Sequence, residues 1–161
     1  MFDPSVTTLR VWPSDLDFNL HLNNGRYLTL MDIGRFDLCW QSGLLQLAIK
    51  KRWLPVVGSA HIVFRKSLQA FQKFEIRTRM LWWDEKWFFL EQTFVSGGDV
   101  YARAIIRGVF RCRGRTVPIS EIVAALGVES FVPERPDFVD QWSKLEKSIA
   151  GLNDYNLAAS N

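Results

Sequence analysis

The stretch Asp15-Leu-Asp17-Phe-Asn19-Leu20-His21-Leu-Asn23-Asn24-Gly25-Arg26-Tyr27 packs two carboxylates, an imidazole and neighbouring amides just ahead of an apolar helical pattern. That is the composition of a reactive site, not of a core. A carboxylate in a loop that ends at a helix N-terminus can activate water, while the free N–H groups of the first helical turn polarise a carbonyl beside it. The chemistry indicated is acyl transfer to water. Downstream, Asn24 or Asn23 is a good N-cap, and Ser42-Gly43 supplies a stop. Between them Tyr27, Leu28, Leu30, Met31, Ile33, Phe36, Leu38, Cys39 and Trp40 cover most of a helical circumference. A helix so widely apolar is expected to be almost wrapped by protein. Upstream, residues 6–12 alternate weakly and stop at Pro13, a short first strand.

Beyond a further helical turn at 44–51 the period changes from helical to alternating. Residues 57–68 read as one strand, and Phe74, Ile76, Thr78, Met80 and Trp82 share a face of the next. Asp84-Glu85-Lys86 turns the chain into a third long strand over 87–95. Ser96-Gly97-Gly98-Asp99 is a tight turn into a fourth over 100–113. The order is strand, long buried helix, then an antiparallel meander, with no βαβ alternation and no repeat. The fold class is therefore α+β, a curved sheet around one helix. A short helix with a glycine stop at Gly127, a proline-broken linker over 131–136 and a last helix over 137–150 follow, and 152–161 reads as frayed. Residues 1–130 make the main domain, and 131–161 a helical extension packed on it. Trp82, Trp83, Trp87, Phe88 and Phe89 put large rings on both faces of the middle hairpin, from which a subunit interface is expected.

With 161 residues, 48% hydrophobic and 14% aromatic, the chain has ample apolar material for one core. A formal charge of +3 does not indicate a nucleic-acid partner, but it suits a small ligand bearing phosphate. Cys39 and Cys112 are isolated, and the opening residues have neither a basic nor an apolar targeting segment, which reads as a reduced, cytoplasmic protein. No apolar run reaches the ~20 residues of a bilayer span. Two histidines and no cysteine cluster leave no zinc site to expect.

On these motifs the chain resembles the hotdog-fold acyl-CoA thioesterases of the 4-hydroxybenzoyl-CoA thioesterase type. The resemblance rests on Asp15-Leu-Asp17, His21-Leu-Asn23-Asn24, Tyr27 and Asp32, and covers nearly the whole chain. It is nearest the branch called thioesterase superfamily member six, through Arg65 to Leu68, Phe74 to Arg79 and Trp83-Asp84. The resemblance implies a long helix cradled by a curved antiparallel sheet, in a homodimer or dimer of dimers with active sites between subunits. It implies no cofactor, coenzyme A being part of the substrate. It also implies that Asp17 is the catalytic carboxylate, as general base or nucleophile, that the Asn24 N–H meets the thioester carbonyl, and that Asp32 matches the helical carboxylate essential in other members. Two positions depart from the family pattern: Leu20 stands where glycine is usual, and Asn19 replaces an apolar residue.

Each residue also has a structural alternative. Asp17 could form an Asx-turn or cap the coming helix, Asp15 orients the loop, and Asp32 could simply pair with Arg35. His21 is a general acid or a histidine tied to backbone. Asn23, Gly25 and Tyr27 are expected beside the substrate, with Asn23 also a capping candidate. Arg65 and Lys66 are the first candidates for the coenzyme A phosphates, ahead of Arg103, Arg107, Arg111, Arg113 and Arg115. The leading expectation is an acyl-CoA thioesterase. A non-catalytic acyl-CoA or lipid-binding scaffold of the same fold is the alternative. A hotdog enoyl-CoA hydratase, imitated by Asp17-Phe-Asn19-Leu20-His21, ranks below both because the proline of its motif is missing.

Overall fold

A computed structural model describes residues 3–127 and 134–151. Six strands form one antiparallel sheet: β1 (Ser5–Arg10), β2 (Leu54–Phe64), β3 (Lys73–Trp83), β4 (Phe88–Ser96), β5 (Asp99–Cys112) and β6 (Arg115–Val117). Their order is β1-β3-β4-β5-β2, with β6 paired to the end of β5. The long helix α1 (Asn24–Gln41) lies in the concave face, followed directly by α2 (Leu44–Lys51); α3 (Ile119–Leu126) and α4 (Phe138–Gly151) come last. The expected α+β architecture is what is found.

The alternation of β5 sends Ala102, Ala104, Ile106 and Phe110 inward beneath α1, where they join Phe74, Ile76, Leu90 and Phe94 from β3 and β4. Small residues at 102 and 104 leave room for the helix. α1 is seated by Gly34: a Cβ there would stand 2.7 Å from Thr78 Oγ1 and 3.0 Å from Gln92 Nε2, so glycine is what allows helix and sheet to close. Thr7 Oγ1 donates to Asp37 at 3.2 Å, fastening α1 to β1 as well.

Three expectations are corrected by the fold. First, Trp82 does not share the face of Phe74: a register shift between Met80 and Trp82 inverts the alternation, sending Trp82 outward and Trp83 into the main core. Second, the outward rings of that hairpin are covered within the chain. Val139, Phe138 and Trp142 of α4 pack on Trp82 and Phe89, and Glu146 accepts from Trp142 Nε1 at 2.7 Å and pairs with Arg107. Third, the described residues do not wrap α1, because Ile33, Phe36 and Trp40 remain 42%, 58% and 58% exposed. The second strand also runs earlier than its alternation suggests, starting at Leu54 and stopping at Phe64. It stops because the N–H groups of Arg65 and Lys66 both turn onto the Tyr101 carbonyl. Among the described residues β2 is a terminal strand that pairs only with β5, and Pro55 is tolerated because it lies at this edge.

Candidate active site

The loop between β1 and α1 is held by Asp15. Its buried carboxylate accepts the Trp12 N–H at 3.0 Å and pairs with Arg26 at 2.8 and 2.9 Å, while its carbonyl accepts the Asn23 N–H at 2.8 Å. A buried charge must be paired in this way, and the pairing clamps the loop onto the first turn of α1. Asp15 thus orients the loop, as expected. Between these clamps the chain makes a tight excursion. Asp17 Oδ1 accepts the N–H of Asn19 at 2.9 Å and of His21 at 3.2 Å, and the Asp17 N–H returns to the His21 carbonyl at 2.9 Å. The Asx-turn alternative is therefore present, and it occupies one oxygen of the carboxylate. Leu20 closes the turn at φ +59°, in the left-handed region that favours glycine.

α1 begins at this loop, and its cap is Asn23, whose Oδ1 accepts the Gly25 N–H at 2.8 Å. The Asn23 carbonyl takes the Arg26 N–H at 2.9 Å. The N–H of Asn24 has no acceptor among the described residues, as the first turn of a helix requires of some of its donors. Asn23 and Gly25 therefore build the helix start and do not line the pocket. Tyr27, one turn on, is buried against Phe64 and Phe94, with ring centroids 5.0 and 4.8 Å away. Burial pushes its phenol up to about 12, with the Leu68 backbone working weakly the other way, so it stays neutral at working pH.

Asp17, Asn19, His21, Asn24, Tyr27, Arg65 and Lys66 converge on one polar pocket of about 350 Å³ beside the end of β2. Arg65 makes no ion pair with the described residues. Lys66 Nζ lies 2.6 Å from Asp99 Oδ2, and this hydrogen bond holds the ammonium charged beyond its ordinary range. Arg103 and Arg107 are engaged elsewhere, with Glu91 and Glu146.

Asp32 lies apart from this group. Within one chain the structure does not bring it to Asp17: it stands at a second, almost wholly apolar cavity of about 300 Å³ between the C-terminal half of α1, α2 and the start of β2. Asp32 pairs with Arg35, the structural alternative read from the sequence. Arg35 in turn donates to Gln92 Oε1 at 2.8 Å, and the fully buried Gln92 gives its amide hydrogens to the Met31 carbonyl at 2.9 Å and Thr78 Oγ1 at 3.0 Å. Sequence reasoning missed both Gln92 and the cavity. The signal for Gln92 was an amide in the inward phase of β4, between Leu90 and Phe94.

With this geometry established, comparison with known proteins assigns the class. Residues 11–127 match the family described as the Thioesterase-like superfamily, and the chain belongs to it. It is 37% identical over 139 residues to Protein THEM6 of Xenopus laevis, covering 86% of this chain and 66% of that protein. It is 30% identical over 157 residues to the probable thioesterase YBR096W of Saccharomyces cerevisiae, covering 95% of this chain and 62% of that one. The fold resembles a mutant 4-hydroxybenzoyl-CoA thioesterase solved with 4-hydroxybenzoyl-CoA, at a TM-score of 0.66 and 17% identity over 75% of this chain and 96% of that one. The fold is the hotdog fold, as the sequence motifs implied. The chain spans 48% to 66% of the length of the THEM6 proteins it matches. No helix among the described residues is long and apolar enough to cross a membrane.

Proposed function

We propose that the chain is an acyl-CoA thioesterase that hydrolyses an acyl-CoA to the free acid and coenzyme A. The observation that carries this is the placement, in one polar pocket, of a carboxylate braced by two backbone N–H groups and an open N–H at the start of α1. Asp17 takes a proton from water as the oxygen attacks the thioester carbon. The oxyanion that forms is stabilised by the Asn24 N–H and the positive end of the helix. Collapse breaks the C–S bond, and Asp17 returns the proton to the leaving sulfur. Arg65, with Lys66 beside it, meets the phosphates of coenzyme A at the rim, and His21 and Tyr27 shape the wall.

The working unit is a homodimer paired through β2. This bare edge is 11 residues long, with Val57 43% and Val63 49% exposed. Antiparallel pairing of two copies sets the Phe64 end of one strand beside the Pro55 end of the other. The polar pocket of one protomer then adjoins the apolar cavity of its partner, and the partner's Asp32 stands near the thioester. Thiol release from a panel of acyl-CoAs tests the reading. Asp17→Asn is expected to lower kcat by about 10²- to 10⁴-fold while thermal stability is kept, the usual contribution of a general base. Unchanged turnover in Asp17→Asn would remove Asp17 from the mechanism. Binding of CoA esters with no turnover in the wild type would establish the scaffold alternative.

A further inference from the structure

The apolar cavity bears on which acyl group is accepted. Its walls include Leu38 and Cys39 of α1 and Val57 of β2, and it closes inward on Leu44, Phe88 and Phe110. Behind that end wall a separate void of only about 20 Å³ is sealed by Ile119, Ile122 and Val123 of α3. The cavity is thus a blind pocket, not a tunnel. Its charged groups, Asp32 and Arg35, belong to α1, where Arg35 is tied to the buried Gln92 and Asp32 to Arg35. The rest of the lining offers an acyl tail dispersion contacts and very little else.

From this geometry we infer that the cavity receives the acyl group and limits it to an uncharged chain or single ring of roughly ten heavy atoms. The inference rests on the CoA-thioester reading above. The size follows from the volume: a cavity of about 300 Å³ holds about ten groups at the roughly 30 Å³ that one water-sized group occupies in a liquid. The end wall sets the limit, because lengthening the tail further would push Phe88 and Phe110 out of a packed core. A tail ending in a carboxylate is rejected, since the closed end holds no group to pair with it.

The test uses S-alkyl-CoA thioethers from ethyl to hexadecyl, which have no scissile carbonyl, titrated calorimetrically against the full chain. Affinity is expected to tighten about fourfold per methylene until the tail reaches roughly ten carbons, and then to level off or fall. Leu44→Ala, which opens the end wall toward the void behind it, moves the break to longer chains by about two carbons. Leu45→Trp, which fills the cavity from a half-buried position on its lining, moves it to shorter ones. An ω-carboxylated thioether of the best length binds more weakly by about tenfold or more. The wild-type series decides by itself if either variant fails to fold. Affinity that climbs unbroken to hexadecyl, or that ignores chain length, overturns the size limit while CoA esters are still hydrolysed. Failure of every thioether to bind, with no thiol released from any ester, overturns the CoA-ester reading instead.

Discussion

Leu20 shows how one side chain can carry a cost for a site. The turn that brings the His21 N–H onto Asp17 needs a left-handed residue, and Leu20 adopts φ +59° while 69% exposed. The related pattern has glycine here, and the backbone angle gives the reason. Leu20→Gly is expected to raise the unfolding free energy by about 1 kcal/mol, the left-handed penalty less the extra entropy glycine gains on unfolding. Urea denaturation checks it: the midpoint should rise with an unchanged slope, and a fall would mean that Leu20 is held by packing. The two aspartates of the motif differ by environment as well. Asp15 is spent on Arg26 and on the loop, whereas Asp17 keeps one oxygen clear of the turn it braces. Sequence spacing made both candidates; burial separates them.

At the scale of elements, the seat of α1 on the sheet is governed by Gly34, Thr78 and Gln92. Gly34→Ala would ordinarily gain about 1 kcal/mol of helix propensity. Here the new methyl would lie 2.7 Å from Thr78 Oγ1, so the helix must lift or the network must shift, at a cost of about 1–3 kcal/mol. A lowered melting temperature is the expected result. A raised one would mean that α1 has freedom to move away from β3. The same junction carries Arg35 and hence Asp32, so a lifted helix should also disturb the mouth of the apolar cavity. The elements themselves were largely legible, because helix caps, glycine stops and alternation are local. Gln92 was not, because its partners Met31 and Thr78 lie 61 and 14 residues away.

For the whole molecule, the unequal covering of its surfaces determines how copies can meet. The outward rings of Trp82 and Phe89 are covered by α4, while among the described residues the edge of β2 and the Ile33, Phe36, Trp40 stripe of α1 stay open. Pairing through β2 predicts that the wild type sediments at twice the chain mass. Val57→Asp, which places an unpaired charge in the strand pairing and at the rim of the cavity, should yield the single-chain mass and lose at least about tenfold in kcat/KM. A Val57→Asp chain that still sediments as a dimer would move the interface to the α1 stripe or elsewhere.

The amino-acid sequence by itself determined the α+β class, the position of α1 to within a residue at its Asn cap and up to the Ser42-Gly43 stop, the polar motif from Asp15 to Tyr27 and the family to which the chain belongs. Each of these depends on residues close together in the chain, or on a motif whose spacing is its signature. Only the tertiary structure decided that Trp82 faces outward, that α4 covers it, that Asp17 and Asp32 stand at separate pockets and that a blind apolar cavity lies beneath α1. Those outcomes depend on a one-residue register shift and on contacts between distant segments. Because the side-chain period of a strand is two, a single bulge reverses a face without leaving a mark in composition or periodicity.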